Sequence, residues 1–331
     1  MSSAPSSLTD KVRTFAVESG VAAAAFLGGR AVFVEDGGGA LLVGEEETRI
    51  ALHDGVPLEV VGDGQRLLSA GDDGTVRALD AEGGVKVLAE HKGRWIDHVA
   101  LGPDGSFAYS AGKTAYFVPA KGEERRALDV PSTVGGLGFA PKGIRLAVAH
   151  YGGVTVWFPN AAGVKPEGLG WKGSHLGVLF SPDGRFLVTT MQEPALHGWR
   201  LSDGGHMRMS GYPARVKSFG FTADGKWLAS SGSTEVILWP FQSKEGPMGK
   251  QPGMLAPAPN TRVCKVACHP KDPVVAVGYE DGMVLMARIT DGAEILLRAP
   301  DKAKVSALAW RADGGAVAFG TEQGGAGLLE F

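Results

Sequence analysis

The chain has 331 residues, 44% of them hydrophobic, and carries a formal net charge of −3 at neutral pH. The slightly negative charge argues against a general nucleic-acid binder, and the apolar content is enough for a large core. The 50 glycines and 19 prolines are scattered rather than clustered, which indicates many short strands and turns instead of a flexible linker.

The N-terminal residues 1–9 are rich in Ser, Ala and Pro, and we predict a disordered tail there. The stretch that follows does not resemble a signal peptide, because Asp10, Lys11, Arg13 and Glu18 interrupt it. No run of 18 apolar residues occurs in the chain, so the sequence predicts a cytoplasmic protein with no membrane partner.

After this segment, one sequence motif recurs about every 40 residues. It consists of an apolar strand, a tight turn rich in Pro, Asp and Gly, and a second apolar strand. Its clearest copies are FSPDGRFLVTT at 180–190 and FTADGKWLASS at 221–231. A third strand and a more polar fourth strand complete each copy. Eight copies are marked by their first turns, at Gly29, Gly64, Gly105, Gly143, Gly184, Gly225, Pro273 and Gly314.

A four-stranded antiparallel unit of this length cannot bury its own sheet and must stack on its neighbours, as the blades of a β-propeller do. The sequence therefore predicts an all-β fold in which residues 10–331 form one closed β-propeller domain with eight four-stranded blades. Seven blades is the alternative, and it would require residues 21–43 to be something other than a blade, since their turn lacks Pro and Asp.

Two segments depart from the regular repeat. The last copy ends on its third strand, so we predict that residues 12–17 supply its missing outer strand and close the ring. The Pro-rich insertion at about 241–260 is interpreted as a loop that replaces or flanks a degenerate outer strand. A tolerated insertion and a partner-docking loop both remain open for it.

Several residues relate the repeats to a known family. A tryptophan ends the third strand at Trp157, Trp199 and Trp239, and Glu90-His91 stands where a Gly-His pair would precede a blade. In these features residues 12–331 resemble the WD-repeat (WD40) family, which implies a propeller fold and a protein-interaction scaffold. The acid that follows the family's tryptophan is missing after all three. We therefore expect the family's buried Asp–His–Ser–Trp network to be mostly absent, with aromatic packing in its place.

Residues with catalytic or metal-binding chemistry form no recognisable motif. The eight histidines are dispersed, and no nucleophile elbow, phosphate loop or zinc-protease motif is present. Cys264 and Cys268 lie roughly 13 Å apart on one strand at about 3.3 Å of rise per residue, too far for a disulfide or a shared metal. We predict no enzymatic activity, no metal and no cofactor; the alternative is a small-ligand, metal-binding or enzymatic propeller that uses the central channel.

Charge is the one feature that points to a particular surface. The residues at the starts of six innermost strands are Arg94, Thr133, Ser174, Arg215, Arg262 and Lys304. Four of these six are basic, and in a propeller they would surround one mouth of the channel, where they would attract an acidic or phosphorylated partner.

Beside these positions, Trp95, Trp171 and Tyr212 are candidate aromatic anchors. We predict a monomeric, non-catalytic scaffold that binds a protein partner through Arg94, Trp95, Arg215, Arg262 and Lys304. The competing interpretation is that these long side chains are simply solvated and paired with nearby acids.

Overall fold

The computed structural model describes residues 6–121 and 124–331, and their regular secondary structure is almost entirely β-strand. They divide into two compact units: the first comprises residues up to Ala51 together with Tyr212–Phe331, and the second comprises Leu52–Gly211. None of the helical segments in these ranges is long and apolar enough to cross a membrane. That residues 10–331 form a single domain stays a prediction.

The first unit opens with two short strands, Ser6–Ser7 (β1) and Arg13–Ala16 (β2), separated by the 3-10 helix Thr9–Lys11. Of the predicted tail 1–9, residues 1–5 lie outside the described residues, whereas residues 6 and 7 are in a strand. A four-stranded antiparallel sheet follows, made of Val21–Leu27 (β3), Arg30–Glu35 (β4), Gly39–Val43 (β5) and Glu47–Ala51 (β6). Residues 21–43 are therefore part of a regular blade despite their atypical turn.

The second unit begins with two antiparallel four-stranded sheets. One is made of Pro57–Gly62 (β7), Leu67–Gly71 (β8), Thr75–Leu79 (β9) and Val85–Glu90 (β10). The next is made of His98–Leu101 (β11), Phe107–Ala111 (β12), Thr114–Val118 (β13) and Arg126–Asp129 (β14).

The rest of the second unit is one six-stranded sheet. Its strands are Gly136–Phe139 (β15), Leu146–Trp157 (β16), Glu167–Phe180 (β17), Phe186–Met191 (β18), Ala195–Arg200 (β19) and Gly205–Ser210 (β20). β16 pairs through residues 146–149 with β15 and through residues 151–156 with β17. β17 in turn pairs through residues 175–180 with β18, so two successive repeats share a continuous sheet.

The first unit resumes with three further sheets. The strands of the first two are Phe219–Phe221 (β21), Trp227–Ser230 (β22), Val236–Pro240 (β23), Gly253–Leu255 (β24), Val263–Cys268 (β25), Val274–Tyr279 (β26), Val284–Arg288 (β27) and Glu294–Arg298 (β28). The third contains Val305–Trp310 (β29), Ala316–Thr321 (β30) and Gly325–Glu330 (β31). β24 lies within the Pro-rich insertion, so this segment keeps a short outer strand.

The N-terminal strands complete the last two of these sheets. β2 pairs antiparallel with β31, with Arg13 opposite Leu328 and Ala16 opposite Gly325, which confirms that residues 12–17 supply the missing outer strand. β1 pairs parallel with β28 and adds a fifth strand to that sheet, a pairing that the sequence did not indicate.

The fold is an all-β β-propeller fold with four-stranded antiparallel blades, and residues 6–121 and 124–331 contain seven sheets rather than the eight predicted. The predicted alternative of seven holds for an unexpected reason. Residues 21–43 do belong to a blade, but the repeats marked by Gly143 and Gly184 are joined through the long strand β17. Eight sequence repeats therefore make seven sheets.

Candidate functional site: a basic cavity in the first unit

Three of the five predicted binding residues line one cavity of about 150 Å³ in the first unit. We call it the basic cavity, because its wall holds four basic side chains and one acidic side chain. Its lining residues are Ala214, Arg215, Lys217, Ser231, Gly232, Arg262, Val263, Cys264, Glu280 and Lys304. Lys217 was not among the predicted residues, because it lies two positions beyond the strand start used to align the repeats.

Backbone hydrogen bonds fix the strand starts that carry the cavity's bases. The N–H of Glu280 donates to the carbonyl of Arg262 at 2.9 Å, and the N–H of Glu322 donates to the carbonyl of Lys304 at the same distance. These bonds hold the residues before β25 and β29 against the ends of β26 and β30. The same places in the sheets therefore present a basic side chain in two successive repeats.

Acidic side chains partner two of these bases. Arg262 Nε donates to Glu280 Oε2 at 2.9 Å, and Lys304 Nζ donates to Glu322 Oε1. The hydrogen bond from Glu322 raises the pKa of Lys304. Arg262 and Lys304 are therefore paired with nearby acids, as the competing interpretation of the basic residues expected. Each acid lies 18 residues after its base.

Two lysines near the cavity have no such partner. Within residues 6–121 and 124–331, no acidic side chain forms an ion pair with Lys217 or Lys265. Lys265 lies in β25 and is partly buried; this burial lowers its pKa, and the charges of Lys304 and Lys217 lower it further, against an opposing effect of Cys264. The bases at this end of the first unit therefore repel one another.

A buried hydroxyl also lines the basic cavity. Ser231 is 1% exposed, and its Oγ accepts the backbone N–H groups of Lys217 at 3.2 Å and Ser218 at 3.0 Å. Both bonds use the oxygen as acceptor, so the hydroxyl hydrogen is left to donate. Gly232, with φ of +96°, lets the chain at Ala214 come close, since a Cβ there would lie 2.9 Å from the Ala214 carbonyl oxygen.

The other two predicted residues belong to the second unit. Arg94 and Trp95 lie between β10 and β11, and both are exposed, with Trp95 at 62%. An exposed tryptophan is typical of binding surfaces. That these residues share one binding surface with Arg215, Arg262 and Lys304 stays a prediction.

Tyr212 is not an exposed anchor, contrary to the prediction, and Trp171 is only partly exposed. Tyr212 is buried, accepts a hydrogen bond from Trp239 Nε1 at 2.6 Å and lies 2.6 Å from Ser230 Oγ. Burial raises the pKa of Tyr212 to about 12. Trp171 stacks on His197 with ring centroids 4.1 Å apart. Tyr212 thus contacts the sheet of β22 and β23, and one face of Trp171 is covered by His197.

Replacing Tyr212 by phenylalanine should lower the free energy of unfolding by about 1–3 kcal/mol, because the buried N–H of Trp239 loses its acceptor. The loss should appear as a lower urea midpoint with an unchanged slope. Tyr151→Phe is the matched control, because Tyr151 is 65% exposed and should change the midpoint little. Equal urea midpoints for the two variants would contradict a stabilising hydrogen bond between the Tyr212 hydroxyl and Trp239.

One copy of the hydrogen-bond network that was expected to be mostly absent is present in the second unit, without its tryptophan. His53 Nδ1 lies 3.0 Å from Asp73 Oδ2, and His53 Nε2 lies 2.9 Å from Ser69 Oγ. Burial acts to raise the pKa of Asp73, but hydrogen bonds from Thr75 and His53 outweigh it and lower that pKa. Ser69 is fully buried, so this Asp–His–Ser arrangement presents no nucleophile to solvent. Its role is to join the chain before β7 to the turn after β8.

Histidines and cysteines elsewhere complete the candidate chemistry. In the described part of the chain, no group of three or more His, Cys, Asp or Glu residues is placed to hold a metal ion. His197 Nε2 nevertheless lies 3.1 Å from His206 Nδ1, so the histidines are less dispersed than predicted. Cys264 and Cys268 are free thiols, as predicted. Burial raises their pKa values to about 11 and about 12, so both stay protonated at neutral pH.

A second cavity of the first unit, of about 350 Å³, is less polar. Met286, Ile295, Trp310 and Phe331 contribute apolar surface to it, and Arg288 lies at its wall. Arg288 is engaged by Asp291 through two hydrogen bonds, at 2.8 and 2.6 Å. The size and lining are those of a small-molecule pocket.

Comparison with known proteins supports the fold and leaves the family open. No protein-family model matches the chain. Over 186 residues, 54% of the chain, it is 26% identical to telomerase protein component 1 of Rattus norvegicus, and the match spans 7% of that protein. The structure is similar to the crystal structure of the computationally designed Ika8 protein, with a TM-score of 0.74, 18% identity, and 96% and 98% of the two chains covered. At that identity the likeness shows the fold alone.

Proposed function

We propose that this chain is a non-catalytic scaffold of the WD-repeat kind, which binds a protein partner by an acidic or phosphorylated segment. The observation that carries the proposal is the basic cavity: four basic side chains against one acidic side chain, in a chain of net charge −3. We expect a cytoplasmic, monomeric protein whose partners are proteins rather than nucleic acids or membranes.

Electrostatics supports an anionic partner at this place. Two bases keep their charge beside Glu280 and Glu322, while Lys217 and Lys265 have no acid of their own. Like charges held close together raise the free energy of the unbound protein, and an incoming anion would relieve that repulsion. A concave wall with an excess of positive charge also speeds the encounter with a negatively charged segment.

The test is an affinity purification from the native host at low salt, with co-purifying proteins identified by mass spectrometry. The variant carries Arg94, Arg215, Arg262 and Lys304 all changed to Glu. The matched control carries Lys86, Lys165, Lys244 and Lys250 changed to Glu, which alters the net charge equally at exposed positions outside the cavity. We expect the partner's yield to fall at least about 100-fold in the first variant only.

Two results would contradict the proposal. A partner retained by the charge-reversed variant would mean that binding uses the Pro-rich segment 241–260 or another surface. The absence of any stoichiometric partner, even with the unaltered chain, would contradict the scaffold role. It would favour the alternative of a small ligand in the cavity of about 350 Å³.

A further inference from the structure

We infer that the basic cavity takes one phosphoryl group, carried on a side chain of the partner, in preference to a carboxylate. The inference rests on the proposed function and narrows it to a ligand group. It concerns the first unit alone, since every lining residue of the cavity belongs to that unit.

Charge balance favours a dianion over a monoanion. The cavity wall holds Arg215, Lys217, Arg262 and Lys304 against Glu280, and Glu322 pairs with Lys304 from just outside the wall, which leaves an excess of two positive charges (four minus two). A phosphoryl group on a side chain carries about −1.5 to −2 at pH 7, whereas a carboxylate carries one charge. The phosphoryl group therefore compensates more of the excess in the same volume.

The shape of the cavity suits a tetrahedral group. Its bases come from the starts of β21, β25 and β29, so positive charge is contributed by three successive sheets rather than one. A planar carboxylate is matched by one fork of donors, whereas phosphoryl oxygens accept from several directions. The volume of about 150 Å³ exceeds the roughly 30 Å³ occupied by one water several-fold, which leaves room for the group and part of its hydration.

Ser231 gives an independent indication that an acceptor binds here. Its buried Oγ already accepts two backbone N–H groups, so its remaining bonding capacity is to donate. Lys217, whose own backbone N–H is one of these two donors, has no acidic partner in the described ranges. The Ser231 hydroxyl and the Lys217 ammonium group therefore both lack an acceptor at this wall. A phosphoryl oxygen would accept a hydrogen bond from each of them.

The experiment uses the full chain and three degenerate peptide pools that differ at one fixed residue: phosphoserine, glutamate or serine. Binding is measured by fluorescence anisotropy, with inorganic phosphate as competitor. We expect the phosphoserine pool to bind at least about tenfold more tightly than the glutamate pool, and inorganic phosphate to compete only at far higher concentration.

Substitutions of single lysines test whether the phosphoserine pool binds in the basic cavity. Lys217→Gln should weaken binding of the phosphoserine pool about tenfold, and Lys217→Arg should restore most of it. Lys226→Gln is the control, because Lys226 is exposed, pairs with Asp224 and lies outside the cavity. Thermal melting of each variant checks that the fold is intact.

The outcomes separate this inference from the proposed function. Equal binding of the phosphoserine and glutamate pools would overturn it, and so would inorganic phosphate binding as tightly as the phosphoserine pool. Unchanged binding by Lys217→Gln would overturn the assignment to this cavity. If the natural partner is still captured through the basic cavity after phosphatase treatment, the scaffold role stands and the phosphoryl preference fails. If phosphoserine peptides bind but no protein is captured, the proposed function fails instead.

Discussion

Replacing Phe15 by aspartate is expected to lower the free energy of unfolding by about 2–4 kcal/mol, because it puts a charge into an apolar cluster. Phe15 lies in β2 and is partly buried, with its ring centroid 5.9 Å from that of Phe33. The cluster it joins includes Val21 and Leu328, so Phe15 connects the N-terminal strand to the sheet of β31 and to the next sheet. The measurement is urea unfolding followed by intrinsic fluorescence.

The neighbouring residue provides the matched control. Thr14 lies in the same strand and is exposed, because successive side chains of a strand point to opposite faces. Thr14→Asp should change the stability by less than about 0.5 kcal/mol. The role assigned to β2 would be wrong if both variants unfolded at the same urea concentration. Loss of β2 would also expose the edge of β31, so size-exclusion chromatography should show association only for Phe15→Asp.

The pairing of β2 with β31 could be predicted from the sequence, because it follows from counting the strands of each repeat. The last repeat has three strands, and the only unassigned strand-like segment precedes the first repeat, so residues 12–17 were the available partner. The turns could be read in the same way, since Asp183 and Asp224 bond to the chain within their own turns. Features fixed by the strand count or by local turn chemistry were thus predictable.

The number of sheets was not predictable, because it depends on whether a strand continues from one repeat into the next. No proline interrupts 167–180, and β17 runs through the boundary between two repeats as one strand of 14 residues. The positive-φ Gly173 falls at that boundary without ending the strand. β17 changes its pairing partner there, from β16 at Ser174 to β18 at His175.

The basic cavity was predictable in part. Aligning strand starts found Arg215, Arg262 and Lys304, since the repeat places them at equivalent positions. It could not find Glu280 and Glu322, which directly follow β26 and β30 and lie 18 residues beyond the bases they contact. A search for acids at a constant offset from each base would have found both.

The buried His53 network was missed for a different reason. Leucine rather than glycine precedes His53, and no tryptophan accompanies it in the third strand, so the family pattern did not mark this repeat. Arg77 occupies that strand instead and donates from Nε to Thr75 Oγ1 at 3.0 Å. The network survives because its geometry needs only a hydroxyl and a carboxylate at His53, at Ser69 and Asp73. The side chains that form the hydrogen bonds are therefore present, although the Gly-His pair and the tryptophan of the family pattern are not.

The second large effect is expected on acidification, through His197. This side chain is fully buried between Trp171 and Trp199, and its Nδ1 has no hydrogen-bond partner in the described structure. Burial, followed by the positive charges that His175 and His206 would carry, lowers the pKa of His197 from 6.5 to about 3. Burial also lowers the pKa of His175. The folded protein therefore holds His197 neutral at pH values where the unfolded chain binds a proton.

The sign of the pH dependence follows from this difference. A base whose pKa is lowered by folding contributes its full stability above pH 6.5, and that contribution is lost as pH falls from 6.5 to about 3. Each pH unit in that window costs about 1.4 kcal/mol per proton, so His197 alone should remove about 2–3 kcal/mol between pH 6.5 and 4.5. Asp73 and Asp183, whose pKa values are lowered from 3.8, lose their contribution mainly at the acid end of this window, so the comparison is confined to pH 4.5 and above.

His197→Phe isolates the contribution, because phenylalanine keeps an aromatic ring against Trp171 and takes up no proton. Urea unfolding is measured from pH 7.5 to 4.5. The free energy of unfolding should fall less steeply with decreasing pH for this variant, and the slopes should differ by up to the value for the uptake of one proton. His206→Gln is the control: the repulsion from His206 is a smaller cause than burial, so most of the slope should remain. A slope left unchanged by His197→Phe would mean that the acid lability arises elsewhere, and that a neutral buried His197 does not limit the stability of the second unit.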